Sequence, residues 1–518
     1  MTESQSLFSA GEVGGIVGGA CYGNLNVEVM TIVVDSREVR PGSLFVALPG
    51  DKADGHDFIE RALLQGASCV IASANRSAEI LGRVAAMAAV PPTKGVLAEA
   101  CLVFVDTPLR ALQSLAKDYR KRMRNLFRIG VTGSSGKTTT KECIGAALTP
   151  VYPEGALVMN AGNLNSDIGL ALSMFTIRPE HRVGVFEMGM NRVGEMDELD
   201  EIYEPDMAVI TNIGTAHIGI IGSRQGIAEE KKKIFSRFDG GQVGIVWEED
   251  NFKAFLEAGL RGRAVEFGLR STKGLQSTED LGLSGWKLRW MGQTILFPLP
   301  GRHNLNNALA ALSVTAEMGA DPVLAANGLQ NVKPLFGRSE IFEGKISLIR
   351  DCYNANPDSV TAALDFVDSV EWTKRKVCVL GSMLELGDSS EAEHRAMGRR
   401  VAESTMDGFF FFGDETKAAY EEAERLTRAA AQMPAQPAVQ APECRAGSCG
   451  AKLRGRKIFH SSDMDALKQA VLGYLTEGDL VLVKGSRGME LERLTSALFD
   501  AGLVDSVPAE KKGGNNAS

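Results

Sequence analysis

Apolar residues along this chain fall in short continuous runs, separated by longer stretches in which they recur every three or four positions. That is the pattern of buried strands alternating with amphipathic helices. The first runs are residues 30–35 (MTIVVD) and 43–48 (SLFVAL), the second introduced by the turn pair Pro41-Gly42, and they predict a small α/β unit. A helical stretch over 109–123 leads through basic residues into 126–131 (LFRIGV), and further strand-like runs follow at 182–187 (RVGVFE) and 207–211 (MAVIT). Helix-length segments between them predict a parallel sheet, whose ligands bind beyond the carboxyl ends of the strands. A helix over 304–319 precedes a hinge at 334–338 (PLFGR), and the alternation then restarts with runs at 347–351, 377–381, 408–413 and 479–484. These four predict a Rossmann-like unit. The expected fold class is therefore α/β in three domains: a small one over 1–125, a central one with a mostly parallel sheet over 126–335, and a Rossmann-like one over 336–518. An Ala-, Pro- and Gln-rich stretch at 433–455 predicts a flexible insertion, and 507–518 a frayed tail.

Composition agrees with three domains, since 518 residues at roughly 100 to 200 per domain allow about that number. With 44% hydrophobic and 23% charged residues, the chain excludes disorder, collagen and coiled coil as overall classes. Lys plus Arg number 56 against 65 Asp plus Glu, a net charge of -9, so no global positive field exists to hold nucleic acid or an anionic membrane. Any anionic ligand must be caught by a local site. The N-terminus shows no basic segment followed by an apolar one, and no run reaches the ~18 residues that span a bilayer. The expectation is a cytoplasmic protein without stable membrane insertion. Eight cysteines without a C-x-x-C pair read as reduced thiols rather than a disulfide framework or a zinc site.

The strongest chemical signal is the stretch Gly130-Val-Thr-Gly133-Ser134-Ser135-Gly136-Lys137-Thr138-Thr139, placed after a strand and before a helix at 139–148. Its glycines let backbone N–H groups approach phosphate oxygens, Lys137 can reach the β- and γ-phosphates, and Thr138 can ligate magnesium. It is a P-loop that departs from G-x-x-x-x-G-K-[ST] at Val131. Glu187 ends a predicted strand, where a carboxylate either holds magnesium or is a solvated terminus. His217 follows another strand, as a ligand at the same sheet edge or a capping histidine. Lys231, Lys232 and Lys233 follow two glutamates on an apparent helix and read by spacing as a solvated face. Asn304 and Asn307 open an Ala-rich helix, and they either cap it or hydrogen-bond a base.

Together GVTGSSGKTTTKE (130–142), FEMGMNRVGE (186–195), TNIGTAHI (211–218), GRHNLNNALAA (301–311) and DCYNANPDS (351–359) resemble the Mur ligases. DSREVRPGSLFVALPG (35–50) and DGHDFI (54–59) resemble that family's nucleotide-sugar domain, and GDLVLVKGSRGMELERL (478–494) its C-terminal end. The resemblance, in YNANP above all, implies an ATP-dependent amide ligase. It would join D-alanyl-D-alanine to UDP-N-acetylmuramoyl-tripeptide through an acyl phosphate in peptidoglycan precursor synthesis, as a monomer. The alternatives are a sister ligase adding one amino acid, a folate-type polyglutamate ligase, or a P-loop regulatory NTPase. By motif position, Gly133, Ser134, Ser135, Gly136, Lys137, Thr138, Thr139, Asn304, Asn307, Arg338 and Asp351 would serve ATP. Two magnesium ions would be held by Thr138, Glu187, His217 and Lys231, the last as a CO2-derived carbamate, while Lys232 and Lys233 stay surface charges. Lys137, Glu187, His217 and Lys231 are thus the expected catalytic set, and Ser36, Arg37, Asn163, Asn165, Tyr353, Asn354 and Lys484 would meet the substrates. Ser382, in LGSMLELG (380–387), stands where the family usually has Asp.

Overall fold

Most apolar runs become strands buried on both faces, which is why their pairing is parallel and their connections are helical. The computed structural model describes residues 6–50, 53–89, 99–432 and 456–505, so the insertion expected at 433–455 and the tail at 507–518 lie outside the described residues. Near the N-terminus Thr31–Val33, Ser43–Val46, Ala67–Ser73 and Cys101–Val105 pair in parallel, and Ala20–Gly23 closes a five-stranded sheet antiparallel to the last of them. The helix Pro108–Arg122 starts with proline, whose missing N–H costs nothing in a first turn. It buries Leu112, Leu115 and Ala116 in a core that runs on beneath the next sheet, and Tyr119 donates to the carbonyl of Ile177 at 2.8 Å. One apolar core therefore welds the first two regions together.

The middle sheet has six parallel strands in the order Arg263–Phe267, Val243–Trp247, Met207–Ile210, Phe127–Thr132, Val183–Glu187, Leu157–Met159. The chain builds one side of Phe127–Thr132 first and then the other, so the topological switch point falls at the end of that strand. Helices Lys137–Leu148, Arg302–Glu317 and Pro322–Gln330 share the core on one face. A three-stranded antiparallel sheet, Leu275–Asp280, Trp286–Trp290 and Gln293–Phe297, was not among the expected elements. Its signal is present in WKLRW, whose alternate residues Trp286, Leu288 and Trp290 are buried.

The C-terminal sheet has six strands rather than four, in the order Glu340–Phe342, Ser347–Asp351, Leu480–Lys484, Lys376–Gly381, Gly408–Phe412, Lys457–Ser461, with only the first antiparallel. The two additional strands are its edges. Edge strands are wetter, and KIFHS at 457–461 lacks the continuous apolar run of its neighbours. Among the described residues no helix is long and apolar enough to cross a membrane.

Candidate active site

The loop after Phe127–Thr132 is shaped by glycine at the two places where a side chain has no room. Gly133 and Gly136 have φ of 150° and 81°, and a Cβ on them would lie 1.8 Å from Thr211 Oγ1 and 2.5 Å from Asn307 Oδ1. Asn212 then holds the loop open from the neighbouring strand end: its Oδ1 accepts from Ser135 N at 3.1 Å and its Nδ2 donates to Ser135 O at 3.0 Å. Helix Lys137–Leu148 begins at Gly136 with no side-chain cap, so its first N–H groups face the cavity. Lys137 donates to Gly133 O at 3.1 Å, and burial pushes its ammonium down from the usual lysine range while Glu187 pulls it back. The arrangement is an anion cradle with a cation at its mouth.

Glu187 is buried at the carboxyl end of Val183–Glu187, one strand over from the loop. One oxygen accepts from Thr138 Oγ1 at 2.7 Å and the other from Asn165 Nδ2 at 2.7 Å. Asn160 clamps the same residue's backbone, accepting from Glu187 N at 2.9 Å and donating to its carbonyl at 3.0 Å, and Asn160's own carbonyl takes the buried Lys141 ammonium at 2.7 Å. Lys231 lies on helix Arg224–Lys232, fully buried, and its Nζ has no hydrogen-bond partner. Burial first, and Lys137 second, hold its amine well below the usual lysine range. Lys232 and Lys233, expected as surface charges, are partly exposed and have partners. Lys232 donates to the carbonyls of Phe255 and Ala258 at 2.6 Å each, and Lys233 pairs with Asp197 and Glu230 at 2.8 Å each. Both pin this helix to its neighbours.

Thr140 Oγ1 donates to Asn307 Oδ1 at 3.0 Å, Asn307 donates to Asn304 at 3.2 Å, and Asn304 to Pro300 O at 2.8 Å. Across from them the guanidinium of Arg338 lies 4.1 Å from the ring centroid of Tyr353. Lys484 donates to Asp351 at 2.7 Å and to Asn354 O at 3.2 Å. The C-terminal region also touches the cradle directly. Asn356 Nδ2 donates to Ser135 Oγ at 3.1 Å, and Asp358 accepts from both Thr215 N and Thr215 Oγ1 at 2.7 Å.

A cavity of about 1440 Å³ between the middle and C-terminal regions brings these groups together. Of the residues expected from sequence, Ser134 to Thr139, Asn163, Asn165, Glu187, His217, Asn304, Asn307, Arg338, Asp351, Tyr353, Asn354 and Lys484 line it. Gly133 shapes the loop without lining the space, Lys231 is enclosed behind the wall, and Ser36 and Arg37 sit in a turn after strand Thr31–Val33 of the N-terminal sheet. Asn160, Asn212, Asn356, Asp358 and Glu385 were not foreseen. Asn160 and Asn212 stand beside residues that were, in MNAGNLN and TNIGTAH, and a reading of asparagines at strand ends would have found them. Ser382 is buried and donates to Glu415, in the turn after strand Gly408–Phe412, at 2.7 Å. Among the described residues no three His, Cys, Asp or Glu side chains converge as a metal site. A cation here would be held by Thr138 and Glu187, by His217, whose buried Nδ1 has no hydrogen-bond partner, and by an oxygen donor built on the unpartnered Lys231 amine, and those groups fit one.

Residues 28–120 match the family described as "Mur ligase family, catalytic domain", residues 131–315 the "Mur ligase middle domain", and residues 337–487 the "Mur ligase, glutamate ligase domain". The UDP-N-acetylmuramoyl-tripeptide–D-alanyl-D-alanine ligase of Treponema pallidum is 40% identical over 471 residues, covering 90% of this chain and 92% of that protein. A crystal structure of MurF from Acinetobacter baumannii superposes with a TM-score of 0.77 at 28% identity, covering 95% of this chain and 99% of that one. MurF ligase from Thermotoga maritima in complex with ADP does so with a TM-score of 0.71 at 25% identity, over 91% and 97% of the two chains.

Proposed function

The chain belongs to the Mur ligase family, and from that premise we propose that it is an ATP-dependent ligase joining D-alanyl-D-alanine to UDP-N-acetylmuramoyl-tripeptide in cytoplasmic peptidoglycan precursor synthesis. The observation that carries the reading is the single cavity of about 1440 Å³, which gathers a P-loop, Glu187 and the YNAN segment at 353–356 in a space large enough for a nucleotide and two peptide ends. We assign nucleotide-sugar capture to 1–125, ATP and metal to 126–335, and acceptor binding with closure to 336–518.

The terminal carboxylate of the tripeptide attacks the γ-phosphorus of ATP, ADP departs, and the amine of the dipeptide attacks the resulting acyl phosphate, losing a proton and expelling phosphate. Attacker and phosphate are both anions. The uncapped N–H groups of helix Lys137–Leu148 and the Lys137 ammonium neutralise that repulsion, and they are in position before substrate arrives. Asn165, braced by Glu187, is placed to orient the reacting carboxylate. Asn304, Asn307, Arg338 and Asp351 hold the nucleoside end. Ser36 and Arg37 take the uracil nucleotide on the N-terminal sheet, whose welded core fixes the reach between them and the cradle.

Magnesium, when bound, supplies Lewis-acid charge at the transferring phosphoryl group, and Thr138, Glu187, His217 and a carbamate of Lys231 would hold it. Carbamate formation needs a neutral amine to attack CO2, and burial favours that form in Lys231 by holding its amine well below the usual lysine range. Phosphate release, measured with UDP-tripeptide and D-alanyl-D-alanine supplied separately and together, tests the function. Release that needs both substrates is expected, and release with neither would point to a regulatory NTPase instead.

A further inference from the structure

The loop at 382–387 lies backbone to backbone on the loop at 214–221. A Cβ on Gly219 would fall 2.5 Å from Gly387 N, so that position admits no side chain without parting the loops, and one on Gly387 would press on Gly219 Cα at 3.0 Å. The fit brings two left-handed backbones face to face, His217 at φ 64° and Glu385 at φ 69°, with His217 Nδ1 at 3.3 Å from Glu385 Oε2. L residues other than glycine and asparagine rarely keep that conformation, and where they do at a cleft it marks a site whose surroundings hold it in place.

Five carboxylates of the C-terminal region line the cavity: Asp351, Asp358, Asp365, Glu385 and Glu393. Lys484 holds Asp351, Thr215 holds Asp358 and Arg400 holds Asp365, each at 2.7 Å. Glu393 sits near Asp358, and burial and that charge push its carboxyl up. Glu385 lies against His217 on the cavity wall with its side chain 60% exposed, and among the described residues no lysine or arginine holds it.

We propose that Glu385 receives the α-ammonium of the acceptor dipeptide beside His217. The proposal rests on the ligase reading above. The acceptor amine arrives as an ammonium, which the Glu385 carboxylate holds in the cavity; it gives one proton to water before its lone pair attacks the acyl carbon and expels phosphate.

Steady-state kinetics of full-length Glu385→Gln, with each substrate varied in turn, decides the matter. The KM for D-alanyl-D-alanine should rise about tenfold or more, as for loss of a charge-assisted hydrogen bond. The KM values for ATP and UDP-tripeptide should change less than about twofold, and Glu385→Asp should recover part of the loss. An unchanged dipeptide KM, an equal rise for all three substrates, or a shift confined to the magnesium requirement would overturn the assignment, the last by making Glu385 an orienter of His217. The unsubstituted enzyme is assayed alongside. If it forms no product with both substrates, the ligase reading itself fails, an outcome separate from any effect of the substitution.

Discussion

Lys484, at the end of a central strand of the C-terminal sheet, and Lys231, on a helix behind the middle sheet, are 2% and 0% exposed. The C-terminal region gives its lysine a full set of partners, Asp351 at 2.7 Å and Asn354 O at 3.2 Å. The middle region gives Lys231 none. A buried ammonium left unpaired is driven towards its neutral form, so burial holds the amine of Lys231 well below the usual lysine range while Lys484 sits in an ion pair. The difference separates the two walls of the cavity. At these two positions the C-terminal region presents a charge already balanced, whereas the middle region keeps a lysine without a hydrogen-bond partner and opens on the cavity with Lys137 and the uncapped helix Lys137–Leu148.

The largest effect tests the unspent cation. Lys137→Ala should lower kcat by about 10³-fold or more, as for removal of a preorganised charge from a phosphoryl-transfer site, with no loss of thermal stability. Activity within tenfold of the parent enzyme would break the contrast, because Lys137 would then be one more partner of Gly133 O. Lys231→Ala comes next. It should lose about 10²-fold or more in turnover and regain part of it when a small carboxylic acid is added, since such an acid can enter the space and supply the missing oxygens. Full activity without the acid would return Lys231 to a packing role.

How far all this was legible follows the same line. The glycines and Lys137 of the P-loop act within ten residues of one another, so local spacing displayed them. The parallel strands were legible because burial on both faces forces continuous apolar runs, and Lys457–Ser461 was not, because an edge strand is half wet. Lys231 was hidden from composition and spacing: EEKKK reads as a solvated face, and only the family resemblance separated it from its neighbours. Asp358 with Thr215, and Glu385 with His217, join residues more than a hundred positions apart, and no local pattern specifies such pairs.

Lys484→Met and Lys231→Met pose the comparison as one substitution at two places. Removing Lys484 leaves Asp351 as a largely buried carboxylate without its cation, which should destabilise the C-terminal region by about 2–3 kcal/mol, somewhat below the full value for a buried pair because Asp351 is partly exposed. Removing Lys231 deletes a desolvated amine and should leave stability unchanged or raised. Denaturant midpoints read both. A destabilised Lys231→Met would mean that its amine has a partner in solution.

The smallest effect lies in how stability varies with pH. The amine of Lys231 is held well below the usual lysine range in the folded chain by burial and returns to about 10.4 when unfolded. Between those two values the unfolded state binds a proton that the folded state does not, so stability rises with pH; below the folded value both states are protonated and the desolvation penalty is constant. In CO2-free buffer the slope has an upper limit of about 1.4 kcal/mol per pH unit from this one group. Denaturant midpoints at pH 7, 8 and 9 should therefore rise for the parent chain more steeply than for Lys231→Met. Adding bicarbonate should flatten the parent's slope, because an amine converted to carbamate no longer titrates as a lysine. Parallel slopes for the two proteins would show that Lys231 keeps its proton when folded, and would place it with Lys484 among the paired charges.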